Sequence, residues 1–127
     1  CQNILLGGDF NIVIDLTKDK KGGNIHTFRG TKYRKELNVF MENLNLCDVW
    51  RLKNPEKFSF TWHCKATKIF CRLDYWLISD HLVNNVRGTD ILPTINSDHK
   101  IIKLILHTTQ SKRGPSYWKF NFNSLES

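Results

Sequence analysis

The chain has 127 residues, which suits one domain or part of one. Hydrophobic residues make up 40% and charged residues 24%, a balance that supports a packed core and excludes a disordered polar chain. Lys and Arg total 19 against 12 Asp and Glu, and the resulting formal charge of +7 favours an anionic partner, nucleic acid first and an anionic membrane surface second. Apolar runs such as Ile4-Leu5-Leu6 and Leu104-Ile105-Leu106 fall far short of a spanning helix, and no signal-peptide pattern is visible, so no membrane-spanning segment is expected and a membrane is not the expected partner.

Asn3 to Phe10 reads as a buried strand that runs through Gly7-Gly8 into Asp9-Phe10-Asn11, where small residues let backbone or ligand come close. Residues 15–30 are polar and glycine-rich and read as a loop. From Thr31, a candidate N-cap, the residues Tyr33, Leu37, Phe40, Met41 and Leu44 recur at helical spacing and predict an amphipathic helix with those side chains in the core. Phe58 to Trp62 and Cys71 to Ile78 alternate like strands. In the second, Leu73, Tyr75 and Leu77 share one face, and Arg72, Asp74, Trp76 and Ile78 share the other. A short helix or turn is expected from Ser79 to Asn85, then strands over Val86–Leu92 and Lys100–His107, with Ser97-Asp98-His99 on the loop between them. The sum is a mixed α/β layer of about five strands and one long helix. From Thr108 the chain turns polar and reads as a linker.

Four cysteines (Cys1, Cys47, Cys64 and Cys71) form no CxxC pair. Reduced thiols are the plain reading, and zinc binding by Cys64, Cys71 and His63 fits no common spacing. His26, His63, His81 and His107 lie outside the polar clusters around Asp9, Asp74 and His99 and read as ordinary surface or core residues.

Three polar clusters resist so plain a reading: Asp9-Phe10-Asn11, Arg72-Leu73-Asp74 and Ser97-Asp98-His99. A carboxylate among Leu, Tyr and Trp is costly to bury unless it is paired or binds a cation. For Asp74, an internal ion pair with Arg72 two residues away on the same face is the structural alternative to a functional role. Gathered at one end of a sheet, these residues would instead suit phosphoester cleavage. A carboxylate can hold a divalent cation, a histidine oriented by a second carboxylate can act on water or phosphorus, and an Asn amide can donate to a phosphate oxygen.

Gly7-Gly8-Asp9-Phe10-Asn11, Arg72-Leu73-Asp74-Tyr75-Trp76 and Ser97-Asp98-His99, in that order, resemble the second half of the endonuclease/exonuclease/phosphatase superfamily. Within it the chain most resembles the apurinic-type endonuclease domain of LINE-type (non-LTR) retrotransposons. Lys21-Gly22-Gly23-Asn24, Leu46-Cys47-Asp48-Val49-Trp50-Arg51-Leu52, Phe60-Thr61-Trp62, Arg113-Gly114-Pro115 and Tyr117-Trp118-Lys119-Phe120-Asn121 add to the likeness. The resemblance implies the C-terminal half of a DNase-like four-layer α/β sandwich over residues 1–107, and a linker over 108–127 toward a reverse transcriptase. It implies that Asp9 positions water or protonates the leaving oxygen, that Asn11 contacts the scissile phosphate, and that Asp74 orients His99. It further implies that Asp98 helps hold magnesium (or manganese), that His99 acts on phosphate or water, and that Arg72, Tyr75 and Ser97 give support. Relatives of this kind nick DNA to leave a 3′-hydroxyl, and access to the nucleus is expected of the parent protein.

The family's first half, with its main metal-binding Glu, does not precede Cys1, so the chain is expected to be a fragment that is weakly active or inactive alone, with the missing half as its partner. Two other functions stay open: another phosphoesterase of the superfamily, and a non-catalytic nucleic-acid-binding remnant. For the latter, Lys18, Lys20, Lys21, Lys32, Arg34, Lys35, Lys65 and Lys68 would track phosphates.

Overall fold

A computed structural model describes residues 2–23 and 28–108. Cys1, Asn24, His26 and the expected linker from residue 109 onward, with its Gly-Pro and Trp-Lys-Phe-Asn motifs, lie outside the described residues. In chain order the elements are β1 (Leu5–Asp9), β2 (Lys20–Lys21), α1 (Phe28–Asn43), β3 (Leu46–Asp48), α2 (Val49–Lys53), β4 (Trp62–Cys64), β5 (Ile69–Cys71), β6 (Asp74–Ser79), a 3₁₀ turn (Asp80–Asn85), β7 (Val86–Leu92) and β8 (Ile101–Leu106). Among the described residues no helix is long and apolar enough to cross a membrane.

The mixed α/β class holds, but the expected layer of about five strands is divided. The strands form three small antiparallel sheets ordered β1-β6-β3, β2-β5-β4 and β7-β8. The reason lies in the segment that reads as one continuous strand from Cys71 to Ile78. It breaks at Arg72-Leu73, where the buried hydroxyl of Thr61 accepts the N–H groups of Leu73 at 2.9 Å and Asp74 at 3.1 Å. Those bonds replace ladder partners, so the chain leaves one sheet as β5 and enters the next as β6. The strand expected over Phe58–Trp62 is displaced: β4 starts at Trp62 and runs on to Cys64, and Phe58 to Phe60 lie outside any strand.

The alternation of β6 is borne out and builds the core. Tyr75 and Leu77 pack with Leu37 and Leu46 on one face, joined by Leu6, Phe10 and Met41. Ile78 packs with Val49 and Val86 on the other, joined by Trp76, Leu104 and Leu106. Each such fully buried side chain contributes roughly 1.5–3 kcal/mol.

Helix α1 departs from its predicted pattern. It begins at Phe28, so Thr31 lies inside it and does not cap it. Of the five residues expected in the core, Leu37 is buried and Met41 partly so, while Tyr33, Phe40 and Leu44 are exposed. The helix touches the sheet along an i, i+4 line, narrower than its apolar stripe, and Arg34 Nε anchors it through the Val13 carbonyl at 2.7 Å.

Gly7 is set opposite Trp76 in the β1–β6 register, and the indole lies over it. A Cβ built there would fall 2.5 Å from the ring. Gly7→Ala should therefore destabilise the fold by about 1–3 kcal/mol, the usual cost of overpacking, read as a lower urea midpoint with unchanged slope. An unchanged midpoint would show that the indole moves aside freely.

Candidate active site

Asp9 ends β1 and Asp74 starts β6, and the antiparallel register sets them directly opposite each other. The loop before β8 is zipped onto β4: Trp62 and His99 form an isolated bridge, Lys100 N donates to the Thr61 carbonyl at 2.7 Å, and His63 N donates to the Asp98 carbonyl at 3.3 Å. Thr94 Oγ1 donates to the His99 carbonyl, and the Ser97 hydroxyl accepts the His99 N–H at 3.1 Å. These bonds carry His99 to the rim where the two carboxylates meet.

His99 Nδ1 lies 2.9 Å from Asp74 Oδ2, and its Nε2 lies 3.8 Å from Asp9 Oδ2. The first contact is a hydrogen bond; the second is a charge contact. Asp9 is itself held, since its Oδ1 accepts the Asn11 N–H at 2.8 Å. Asn11 has φ 54°, a left-handed conformation that Asn tolerates better than most residues, and it is exposed at the rim. Asp98, also exposed, accepts the Trp62 indole N–H on Oδ2 at 3.0 Å.

Arg72 does not pair with Asp74. Its Nε and Nη2 donate to Asp19 at 2.7 and 2.9 Å, and its Nη1 donates to Asp48 Oδ1 at 2.9 Å while Nη2 also meets Asp48 Oδ2. The side chains of Arg72 and Asp19 are 1% and 0% exposed, so this is a buried ionic network, extended by Arg51 Nη2 to Asp19 at 2.5 Å. Burial alone would lower the Arg72 pKa, but the bonds to Asp48 and Asp19 raise it on balance and keep the group charged. The Tyr75 hydroxyl sits 2.5 Å from the Arg72 carbonyl and 2.8 Å from that of Ile12, and it accepts the Ile14 N–H at 3.1 Å. It thereby ties the loop after Asn11 to the segment that carries Asp74.

The structure thus brings Asp9, Asp74 and His99 together, with Asn11 bracing Asp9 and Asp98 beside them. Sequence reasoning gave no role to Thr61, Asp19, Asp48 or Trp62, which hold these groups in place. His63, Cys64 and Cys71 gather no metal-ligating group among the described residues, and Cys47, Cys64 and Cys71 are free thiols.

Asp9, Asp74 and His99 each offer one ligand atom, all within 4.8 Å of one another, as a metal ion would require. His99 Nδ1 and Asp74 Oδ2, however, are hydrogen-bonded to each other, and magnesium prefers a full set of oxygens. The three residues alone therefore do not fit a magnesium cage. Asp98, with one oxygen turned to Trp62, fits a single ligand of a divalent cation.

No protein-family model matches the sequence. Solved structures with a similar fold include the AP endonuclease of Leishmania major (TM-score 0.69, 20% identity, 83% of this chain and 35% of that one). Another is a 3′-5′ exonuclease of Neisseria meningitidis (TM-score 0.67, 20% identity, 84% and 46%). A 3′ phosphatase from Neisseria, solved with a product DNA hairpin, scores 0.65 at 18% identity. The chain has the endonuclease/exonuclease/phosphatase fold, as its motifs imply. In sequence it is related to a transposon TX1 protein of 149 kDa from Xenopus laevis, 30% identical over 131 residues. The match takes in 98% of this chain but 9% of that protein, and the chain spans less than half of each solved structure named here.

The His99 pKa is raised above its ordinary value. Burial pulls it down, and the hydrogen bond and charge of Asp74, with the charges of Asp9 and Asp98, outweigh that pull. A value raised on folding adds stability that is complete below the unfolded value of about 6.5 and is lost as pH rises through the folded one. With chelator present, Asp74→Asn should lower the ring's titration midpoint and flatten the loss of stability above that pH. Histidine-ring NMR and urea unfolding across pH measure both, and an unmoved midpoint would contradict the pairing.

Proposed function

We propose that this chain is part of a phosphodiester-cleaving nuclease from a LINE-type retroelement, one that nicks DNA to leave a 3′-hydroxyl. The observation that carries the reading is the 2.9 Å contact between His99 Nδ1 and Asp74, with Asp9 on the other side of the ring. Asp74 holds the Nδ1 proton and so fixes the tautomer and the direction of Nε2. In the imidazolium form, Nε2–H and the Asp9 carboxylate present a donor and an acceptor side by side. The imidazolium, favoured by the surrounding carboxylates, stabilises negative charge at phosphorus. Asp9 orients the attacking water or manages the proton of the leaving oxygen, and Asn11 donates to a phosphate oxygen. A bound magnesium, or manganese in its place, with Asp98 among its ligands would supply charge neutralisation at the phosphate.

DNA as substrate is supported by the charge of +7 and by a groove of about 420 Å³ beside the site, lined by Trp62, His63, Cys64, Lys65, Asn96, Ser97 and Asp98. Its aromatic rings and amide suit a base or sugar next to the cleaved bond. Transposon context comes from the homologous stretch of the Xenopus protein. Because the described donors leave a cation short of ligands, the chain alone should nick weakly, and the rest of the domain should restore activity in trans. The second half of the chain's proposed partnership, a reverse transcriptase in the parent protein, follows from the same context.

Plasmid nicking with magnesium tests the reading, using the purified chain with and without a complementing first half. Nicking should rise on complementation and fall at least 100-fold in His99→Ala, in line with the usual size of general acid–base and electrostatic contributions. Asp98→Ala should also be impaired, with partial rescue by excess metal. Activity that survives both substitutions would sink the assignment. Salt-sensitive DNA binding with no cleavage under any of these conditions would favour the non-catalytic remnant.

A further inference from the structure

We infer that Asp19 and Asp48 are positioning residues: by occupying Arg72 they keep it off Asp74 and leave that carboxylate to His99. The inference rests on reading the Asp74–His99 pair as the chemical centre of the site.

Arg72 is the cation closest to Asp74 along the chain, two residues before it at the break between β5 and β6. They line the same small cavity, about 10 Å³, with Trp50, Trp76 and Asp90. In that setting an arginine with open donors would take the nearest carboxylate, because a buried charge is tolerated only when paired. Asp74 instead gives Oδ2 to His99. What prevents the local pair is the supply of two other carboxylates. Asp19 meets Nε and Nη2, and Asp48 meets Nη1 and Nη2, so the fork is engaged on both edges. Arg72 also lies over two rings, its guanidinium carbon 4.9 Å from the Trp50 centroid and 4.6 Å from that of Tyr75.

The two carboxylates come from separate elements: Asp19 precedes β2, and Asp48 ends β3 and caps α2 by accepting the Arg51 N–H at 3.3 Å. Arg72 can be engaged in this way only when both elements are docked, so assembly of the dyad depends on assembly of the sheets around it.

The test reads the hydrogen-bonded ring N–H proton of His99 by NMR at one fixed pH, on the full chain with chelator and no DNA. The unaltered chain should show it, and its absence there would overturn the dyad and this inference with it. Folded Asp19→Asn or Asp48→Asn should lose or broaden the signal as Arg72 turns toward Asp74. Adding Arg72→Gln to either should bring the signal back, because Arg72 no longer competes for Asp74. Retention in the single variants, or loss that Arg72→Gln does not reverse, would overturn the inference. If the single variants do not fold, the triple variant Asp19→Asn/Asp48→Asn/Arg72→Gln decides: a folded chain with the signal supports charge sorting. Failure to fold or a missing signal would assign the network to stability alone. Cleavage is not measured, so the outcome stands apart from whether the chain is a nuclease.

Discussion

The structure turns on one buried cation. Arg72 sits at the break between β5 and β6 with its guanidinium held by Asp19 and Asp48 and flanked by two aromatic rings. Removing one partner of such a network commonly costs about 3–5 kcal/mol, because the charge left behind is buried and unpaired. That cost makes the arrangement close to all-or-none. The loop after β1, the β3–α2 corner and the start of β6 are fixed relative to one another when it forms and loosened when it does not.

The site inherits its geometry from this arrangement. The backbone of Arg72 also takes part, since its N–H donates to the Asp19 carbonyl at 2.8 Å and its carbonyl meets the Tyr75 hydroxyl. Tyr75 in turn reaches the carbonyl of Ile12 and the N–H of Ile14, so the segment beyond Asn11 is held by the same residues that aim Asp74. Burial pushes the Tyr75 hydroxyl pKa well above its ordinary value, which keeps it neutral and suited to a bonding role. Two short strand ends, Asp9 and Asp74, can therefore face a histidine from a third segment with little freedom left in either carboxylate.

Secondary structure was legible where one physical signal acted alone. Val86–Leu92 and Ile101–Leu106 match their expected spans closely, because short apolar stretches rich in β-branched residues and bounded by turn signals favour strands. Helix α1 was legible as a helix, but not in its burial. Periodicity reports which residues share a face, and how much of that face a neighbour covers depends on what packs there. The strand expected from Cys71 to Ile78 was misread for a different reason. A side-chain hydroxyl thirteen residues before Asp74 supplies bonds that look, in sequence, like ladder bonds to another strand.

The sequence by itself determined the alternation of β6, the acidic and imidazole residues available, and the resemblance that joined them, since these depend on residue type and order alone. Which carboxylate would hold which cation was beyond it. Arg72 had a candidate partner two residues away and took two others, 53 and 24 positions distant along the chain. Only the tertiary structure could decide that, because ion pairing inside a protein is settled by which groups are buried together, and burial is a property of the packed whole.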